Sequence, residues 1–243
     1  MHPDAYAEMA TLQDSHWWFL GRRAVLSRII KALSLPPEAR ILEIGSGMGG
    51  NLRMLQDFGE VTAVEADESA RRWSQQRMGL RILPGVLPEQ LPDVREKFDL
   101  ICLLDVLEHI RDDTAALAAL PPLLADNGRV LVTVPAYQWL WSAHDEKLHH
   151  FRRYTAVGLE SVARRSGYVI ERIGYFNTLL FPVAAATRLF ARLSGTKTVA
   201  GNSLPPPFIN RMLRRVFEAE SSMIQAVRLP FGVSIFAVLR CRG

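Results

Sequence analysis

Cysteine is scarce in this chain. Cys102 and Cys241 are the two present among 243 residues, far apart and each inside an apolar run. That excludes a disulfide framework and a thiolate metal cluster, and it suits a reducing compartment. Long apolar runs are also missing. The most hydrophobic stretch, 178–193, is interrupted by Arg188 and Arg192, and it falls short of the roughly 20 apolar residues that a membrane-spanning helix needs. The opening residues, MHPDAYAEMATLQD, carry acidic and polar groups where a secretory signal needs a basic start and an apolar centre, so a cytoplasmic location is expected. None of the five tyrosines has a lysine four residues on, which removes the Tyr-x-x-x-Lys pair on which many hydride-transferring enzymes rely. No internal repeat or low-complexity tract interrupts the chain.

What is present reads as one large globular domain, or one domain with an elaborated cap. The net charge of +4 is unevenly distributed. From Asn177 onward, nine Lys or Arg face two acids, Glu218 and Glu220. A basic region of this kind can face anionic lipid or phosphate, or simply form a solvated cationic face. Before it, short apolar runs alternate with helical segments. RILEIG (40–45), EVTAVEAD (60–67), LRILPG (80–85), the start of FDLICLLDVLEHI (98–110) and GRVLVTVP (128–135) read as strands. GNLRMLQDFG and SARRWSQQRMG read as helices, the second with Ser69 as N-cap, and TAALAALPPLLADNG as a helix broken at Pro121. Strand and helix alternating at this spacing predict an α/β fold, a doubly wound parallel sheet. Ligands of such sheets bind beyond the carboxyl ends of the strands.

The first strand runs into ILEIGSGMGGN, residues 41–51. Gly45, Gly47 and Gly50 satisfy G-x-G-x-x-G, the dinucleotide fingerprint, whereas Glu43, Gly45, Gly47 and Gly49 satisfy E-x-G-x-G-x-G. Glu65 lies twenty residues beyond Gly45 at the end of the second strand. A carboxylate there can accept hydrogen bonds from both hydroxyls of an adenosine ribose, which suits NAD and S-adenosylmethionine (SAM) alike. Glu43 favours SAM, because a carboxylate is unhelpful beside a pyrophosphate but tolerable beside an ammonium and a sulfonium. SAM has no phosphate, so Gly45 and Gly47 would serve to let the backbone approach the ligand closely. An NAD-dependent oxidoreductase stays as a lesser alternative, as does a SAM-fold scaffold protein without methyl transfer.

ILEIGSGMGGN, VTAVEAD, LPGVLPEQLP and FDLICLLDVLEHI resemble the successive motifs of class I SAM-dependent methyltransferases, with the quinone-biosynthesis branch most similar. The resemblance spans about residues 38–135. It implies a Rossmann-like sheet of seven strands with the last antiparallel, for which GYVIERIGYF (167–176) and GVSIFAVLRC (232–241) supply the final pair. It implies that Glu43, Gly45, Ser46, Gly47, Gly49 and Asn51 surround the methionine moiety and that Glu65 and Ala66 meet the ribose. Gly85, Val86 and Leu87 would flank the adenine; many relatives place an acid there, so this contact is expected through the backbone. Asp105 would line the pocket near the reacting methyl.

Two stretches outside those motifs are rich in aromatic and basic residues. In HWWFLGRR (16–23), Trp17 and Trp18 are candidate acceptor contacts, with Arg22 and Arg23 placed to hold an anionic group. PAYQWLWSAHDEKLHHFRRYT (135–155) is long for a bare connection, and such loops are usually functional. Its His150 and His144 are candidate general bases, with Tyr154 beside them and with Tyr137 and Arg153 as acceptor contacts; His109 of LEHI borders the same region. His144, Asp145 and His150 could also ligate a metal, but the general base is favoured and no metal is expected.

The expected organisation is an N-terminal arm and helix (1–37), a SAM-binding core (38–176, continued by 232–243) and a helical insertion (177–231). In the insertion, TLLFPVAAATRLFARL is followed by the turn-rich SGTKTVAGNSLPPP and by FINRMLRRVFEAESSMIQAVR, whose apolar residues recur at helical spacing with Arg211, Arg214 and Arg215 turned away. Such helices can cover an acceptor pocket and rest on an anionic membrane surface. The expected partner is a small or lipid-linked acceptor rather than a nucleic acid.

Overall fold

A computed structural model describes residues 3–194 and 203–242. Part of SGTKTVAGNSLPPP, the turn-rich segment, therefore lies outside the described residues. In chain order the elements are α1 (Pro3–Leu12), α2 (Trp17–Lys31), β1 (Arg40–Ile44), α3 (Leu52–Gln56), β2 (Glu60–Glu65), α4 (Glu68–Met78), β3 (Ile82–Pro84) and β4 (Phe98–Leu104). They continue with α5 (Asp113–Ala118), β5 (Leu124–Pro135), α6 (Ala143–Lys147), α7 (Ala156–Arg165), β6 (Tyr168–Phe176), α8 (Phe181–Ser194), α9 (Pro207–Ala226) and β7 (Ser234–Cys241).

Among the described residues the strands form one seven-stranded sheet in the order β3-β2-β1-β4-β5-β7-β6. β1 to β5 pair in parallel, and β7 enters antiparallel between β5 and β6. The strand order reverses between β1 and β4, so the crevice for a ligand opens there. Side chains alternate across β1: Leu42 and Ile44 join the core under α5 and α7, and Ile41 joins the core under α2, α3 and α9. Both faces are covered, which is why these strands read as continuous apolar runs rather than alternating ones.

α9 is built into the second core. Phe217 is fully buried, and a Cβ on Gly21 of α2 would stand 2.4 Å from its ring; only glycine lets the two helices approach this closely. The buried Glu220 carboxylate accepts the N–H groups of Thr178 and Leu179 at 2.8 and 3.2 Å, tying α9 to the end of β6. α8 is different in kind, since none of its residues is fully buried.

Several local expectations are corrected. Asp67, not Ser69, caps α4, its side chain accepting the Ala70 N–H at 2.9 Å. The segment at Pro121 is not a broken helix: α5 stops at Ala118, a single 3-10 turn follows at Pro121–Leu123, and LADNG already belongs to β5. Adjacent prolines remove the amide donors a continuing helix needs. HWWFLGRR, given above only as a source of contacts, opens α2, with His16 as its N-cap. α1 in front of it had no counterpart among the expected elements.

Candidate active site

β1 ends in a chain reversal in which Gly45, Gly47 and Gly49 all have positive φ, at 77°, 52° and 71°. This is the left-handed region that favours glycine. A Cβ on Gly45 would lie 2.7 Å from Val106 Cγ2, whereas one on Gly47 would meet nothing nearer than Met9 at 3.8 Å. Gly45 is thus required for packing as well as conformation, and Gly47 leaves open space above its backbone. Glu65, buried at the end of β2, accepts the Gly47 N–H at 2.7 Å and the Asp67 N–H at 2.9 Å. The Tyr6 hydroxyl of α1 donates to the same carboxylate at 3.4 Å. Gln13 reaches the Met48 carbonyl at 3.1 Å, so α1 and the turn after it lie across the glycine loop.

Behind the loop runs a polar chain. Buried Glu43 accepts from Asn51 Nδ2 at 2.8 Å, and its other oxygen has no partner. Burial pushes its pKa up to about 7, against the opposing Asn51 hydrogen bond and the Arg22 charge. Arg22 pairs with Asp105 at 2.8 Å and donates to Thr133 Oγ1 at 3.1 Å and to Asn51 at 3.3 Å. Asp105 holds a left-handed backbone, φ 61°, that a non-glycine residue rarely adopts. The conformation is fixed by Thr133, which accepts the Asp105 N–H and donates to its carboxylate, both at 3.1 Å.

The stretch after β5 is organised by Asp145. Its carboxylate accepts Arg153 Nε at 2.7 Å and Nη2 at 2.9 Å, the Ser142 N–H at 2.9 Å and a 2.9 Å contact from His150 Nδ1. Arg188 of α8 approaches it at 3.7 Å. Burial alone would raise the Asp145 pKa, but the hydrogen bonds from His150 and Arg153, with the Arg153 charge, carry it below the usual carboxylate range. His109 packs edge-on against His150, ring centroids 4.5 Å apart. Burial, reinforced by the neighbouring His150, lowers the His109 pKa to about 3. Glu108 is 1% exposed, both its carboxylate oxygens lack partners, and burial with Asp105 nearby pushes its pKa up.

These parts share one cavity of about 1400 Å³. Gly45, Ser46, Gly47, Asn51, Glu65 and Asp105 line one end. His109, His144, His150 and Arg153 line the other, and Trp17, Trp18 and Arg22 of α2 line the cavity as well, Arg22 beside Asp105. Glu43 stands behind this wall and Gly49 packs on Leu52 and Ser74. Other expected residues fall outside the cavity walls. Tyr154 is buried and donates to Asp113 at 2.8 Å, which draws its hydroxyl toward α5. Tyr137 stacks on Tyr175 and Trp139, at 5.3 and 5.8 Å between ring centroids. Leu87 is buried in the core, Val86 is exposed and bridges backbone to backbone with Gln90, Gly85 packs on Val64, and exposed Ala66 accepts from Arg71. Arg22 lines the cavity, but Asp105 already pairs its charge; Arg23 donates to the Gly50 and Gln13 carbonyls. Asp145, weighed above as a metal ligand, has both carboxylate oxygens engaged by Arg153, with His150 and Ser142 alongside.

Glu108 and Tyr6 were not among the expected site residues. Glu108 sat in plain view beside His109 in LEHI; Tyr6 carried no signal, because its role depends on a contact 59 residues away in sequence.

A glycine loop ending the first strand, a carboxylate ending the second and an antiparallel last strand define a class of α/β proteins that bind a nucleoside cofactor. The chain belongs to the methyltransferase-domain family, whose pattern matches residues 19–173. It is a SAM-dependent methyltransferase, with SAM as its cofactor. Similar solved structures include the Haloferax volcanii partner of the Trm112 methyltransferase activator, with TM-score 0.62 and 16% identity over 99% of this chain and 96% of that one. A SAM-dependent methyltransferase of Clostridium acetobutylicum is similar with TM-score 0.57 and 13% identity, over 91% and 92% of the two chains. The plantazolicin methyltransferase BpumL, in complex with a monoazolic desmethylPZN analogue and SAH, gives 0.59 and 13% over 99% and 91%. No curated protein matches the sequence.

Proposed function

We propose that the cofactor occupies the glycine-loop end of the cavity and that a lipid-linked acceptor enters from the α8 side, presenting its nucleophile to the histidine end. The observation that carries this reading is the continuity of the cavity, from Glu65 and Gly47 past Trp18 to His150 and on to Val183, Thr187 and Ala191 of α8. Glu65 is the ribose contact and the Gly45–Asn51 loop the methionine contact. Methyl transfer from a sulfonium is an in-line displacement: the acceptor's lone pair forms the new bond to the methyl carbon while the carbon–sulfur bond breaks and leaves its electrons on sulfur. Holding the two centres at attack distance supplies much of the acceleration. The acceptor's proton leaves at the polar end, where Asp145 holds the His150 ring in one orientation.

The lipid-linked part of the reading is supported by the surface around the cavity mouth. α8 exposes Leu189, Phe190 and Leu193, and α9 exposes Phe208, Ile209 and Met212, with Arg192, Arg211 and Arg215 on the same helices also exposed. No helix among the described residues is long and apolar enough to cross a membrane; apolar residues beside arginines suit a helix lying on an anionic surface. Turnover should be assayed as S-adenosylhomocysteine release from SAM with the lipid and aqueous fractions of a cell extract supplied separately. Release with the lipid fraction is expected; release with the aqueous fraction alone would replace the lipid-linked acceptor by a soluble one. In vesicle sedimentation, replacing Arg211, Arg214 and Arg215 by glutamine should weaken binding to anionic vesicles by about 1 kcal/mol per arginine at low salt and leave SAM affinity unchanged. No vesicle binding by the parent protein would remove the membrane surface from the reading.

A further inference from the structure

The sequence puts Glu108 and His109 side by side in the single 3-10 turn that follows β4, Leu107–His109. The Phe151 N–H donates to the Glu108 carbonyl at 2.7 Å, which fastens the end of the histidine stretch to that turn and brings His150 over it. One potential ligand atom from each of Glu108, His109 and His150 then lies within 4.8 Å of the other two. Among the described residues no other set of three such side chains converges in this way. Metal–ligand bonds of about 2.1 Å set neighbouring ligand atoms roughly 3.0–3.4 Å apart, so side-chain rotation of about an ångström closes the set.

Two independent features point to an ion rather than to a chance cluster. The first is the Glu108 carboxylate, 1% exposed and with neither oxygen partnered by the protein. An orphaned buried carboxylate is costly, and an ion is one of the few things that satisfies both oxygens. The second is the way the two imidazoles are held. His150 has Nδ1 on Asp145 at 2.9 Å, which leaves Nε2 as its outward ligand atom. The His109 ring stands edge-on to that of His150, with centroids 4.5 Å apart. A carboxylate behind a ligating histidine, as Asp145 stands behind His150, is a usual outer support of a metal site.

We propose that Glu108, His109 and His150 bind a divalent transition-metal ion. Two imidazoles and one carboxylate suit zinc, cobalt or iron(II), and three protein ligands leave positions open. All three residues face the cavity, so an open position is directed at whatever the cavity holds. If the methyl-transfer reading above is correct, that is the acceptor: the ion binds its nucleophilic oxygen or nitrogen and favours loss of its proton. Metal binding itself does not depend on that reading.

The test uses the full chain freed of metal with a chelator, titrated with Co²⁺ and then Zn²⁺. One Co²⁺ per chain is expected, with visible d–d absorption that Zn²⁺ abolishes by displacement. Glu108→Gln and His150→Gln should each weaken Zn²⁺ binding at least about 100-fold, since loss of a ligand's outer support alone costs about 10–100-fold and each variant removes a ligand itself. His149→Gln, at an exposed neighbour, should change nothing. Circular dichroism establishes folding, and either ligand variant suffices if the other fails to fold. No stoichiometric Co²⁺ or Zn²⁺ binding by the folded parent, or unchanged Zn²⁺ affinity in the folded ligand variants, overturns the site. SAM affinity and turnover are measured on the same samples. Metal binding without turnover counts against the proposed acceptor, whereas turnover without metal binding counts against the metal site.

Discussion

The two ends of the cavity are built from different materials. At the glycine-loop end the backbone makes much of the wall: three glycines with positive φ, and the Gly47 and Asp67 N–H groups directed at one carboxylate. At the histidine end side-chain charge does the organising, with Asp145 gathering Arg153, His150, Ser142 and Arg188, while the left-handed backbone positions there, Tyr137 and His149, are not glycines. A backbone site tolerates little change in residue size, whereas a charge-centred site depends on keeping its charges balanced. The difference also appears in the acids. Glu43 behind the glycine loop has its pKa raised, and Asp145 has its pKa lowered.

That comparison is broken most severely by Asp145→Ala. Removing one partner of a buried ion pair typically costs about 3–5 kcal/mol, because the remaining charge is left uncompensated. Denaturant titration should show a loss of this size, with SAM affinity in the surviving folded fraction retained. A stability change under about 1 kcal/mol would mean that Asp145 is not the organising charge.

A pH series sharpens the contrast between the two acids. The Glu43 carboxyl has a folded pKa of about 7 against an ordinary 4.5, so between these values the native state binds the proton more tightly than the unfolded chain does. Its contribution is greatest below pH 4.5, declines as pH rises to about 7 and is flat beyond. Glu43→Gln keeps an acceptor for Asn51 and lacks this decline. Its stability relative to the parent should therefore improve by up to about 3 kcal/mol between about pH 4 and pH 8, because each tenfold difference in proton affinity is worth about 1.36 kcal/mol. For Asp145 the sign is opposite: its stabilisation is present above the usual carboxylate pKa and is lost as pH falls below it. Parallel parent and Glu43→Gln stability curves across this range would show that the carboxyl is not raised.

The smallest effects fall on the proposed cofactor contacts. Glu65→Ala should weaken SAM binding by about 1.5–3 kcal/mol, the range for hydrogen bonds to a charged group. Tyr6→Phe removes one long bond to the same carboxylate and should cost no more than about 1 kcal/mol. Calorimetry distinguishes them, and equal SAM affinity in Glu65→Ala and parent would take Glu65 out of the cofactor site.

What is legible in the sequence follows the same division. The sheet and the glycine loop are written in short-range pattern: β-branched runs, glycines at fixed offsets and an acid at the end of β2. The histidine end is written in contacts between distant residues. Nothing near Tyr154 announces that Asp113 will hold its hydroxyl, and nothing near Arg22 announces that Asp105, itself in a left-handed turn, will take its charge. By residue type they read as an aromatic hydroxyl and a free cation, and both are already partnered inside the fold. The N-cap of α4 is a smaller instance, since Ser69 and Asp67 are equally good caps by type and the turn after β2 selects between them.

The contact between Gly21 and Phe217 bears on how this chain can be re-engineered. Segment 177–231 looks like a cassette that could be exchanged to change acceptor, leaving the cofactor core intact. α8 comes nearer to that description, having no fully buried residue to lose, provided that the graft keeps Arg188, which approaches Asp145 at 3.7 Å and donates to the Leu140 carbonyl at 2.8 Å. α9 does not: its phenyl ring fills the space that a missing side chain on α2 provides, and Glu220 holds the exit from β6. A donor segment carrying a different residue at 217 would leave a hole above Gly21 or collide with it. A viable graft therefore exchanges α8 alone, or moves α2 and α9 together as a matched pair.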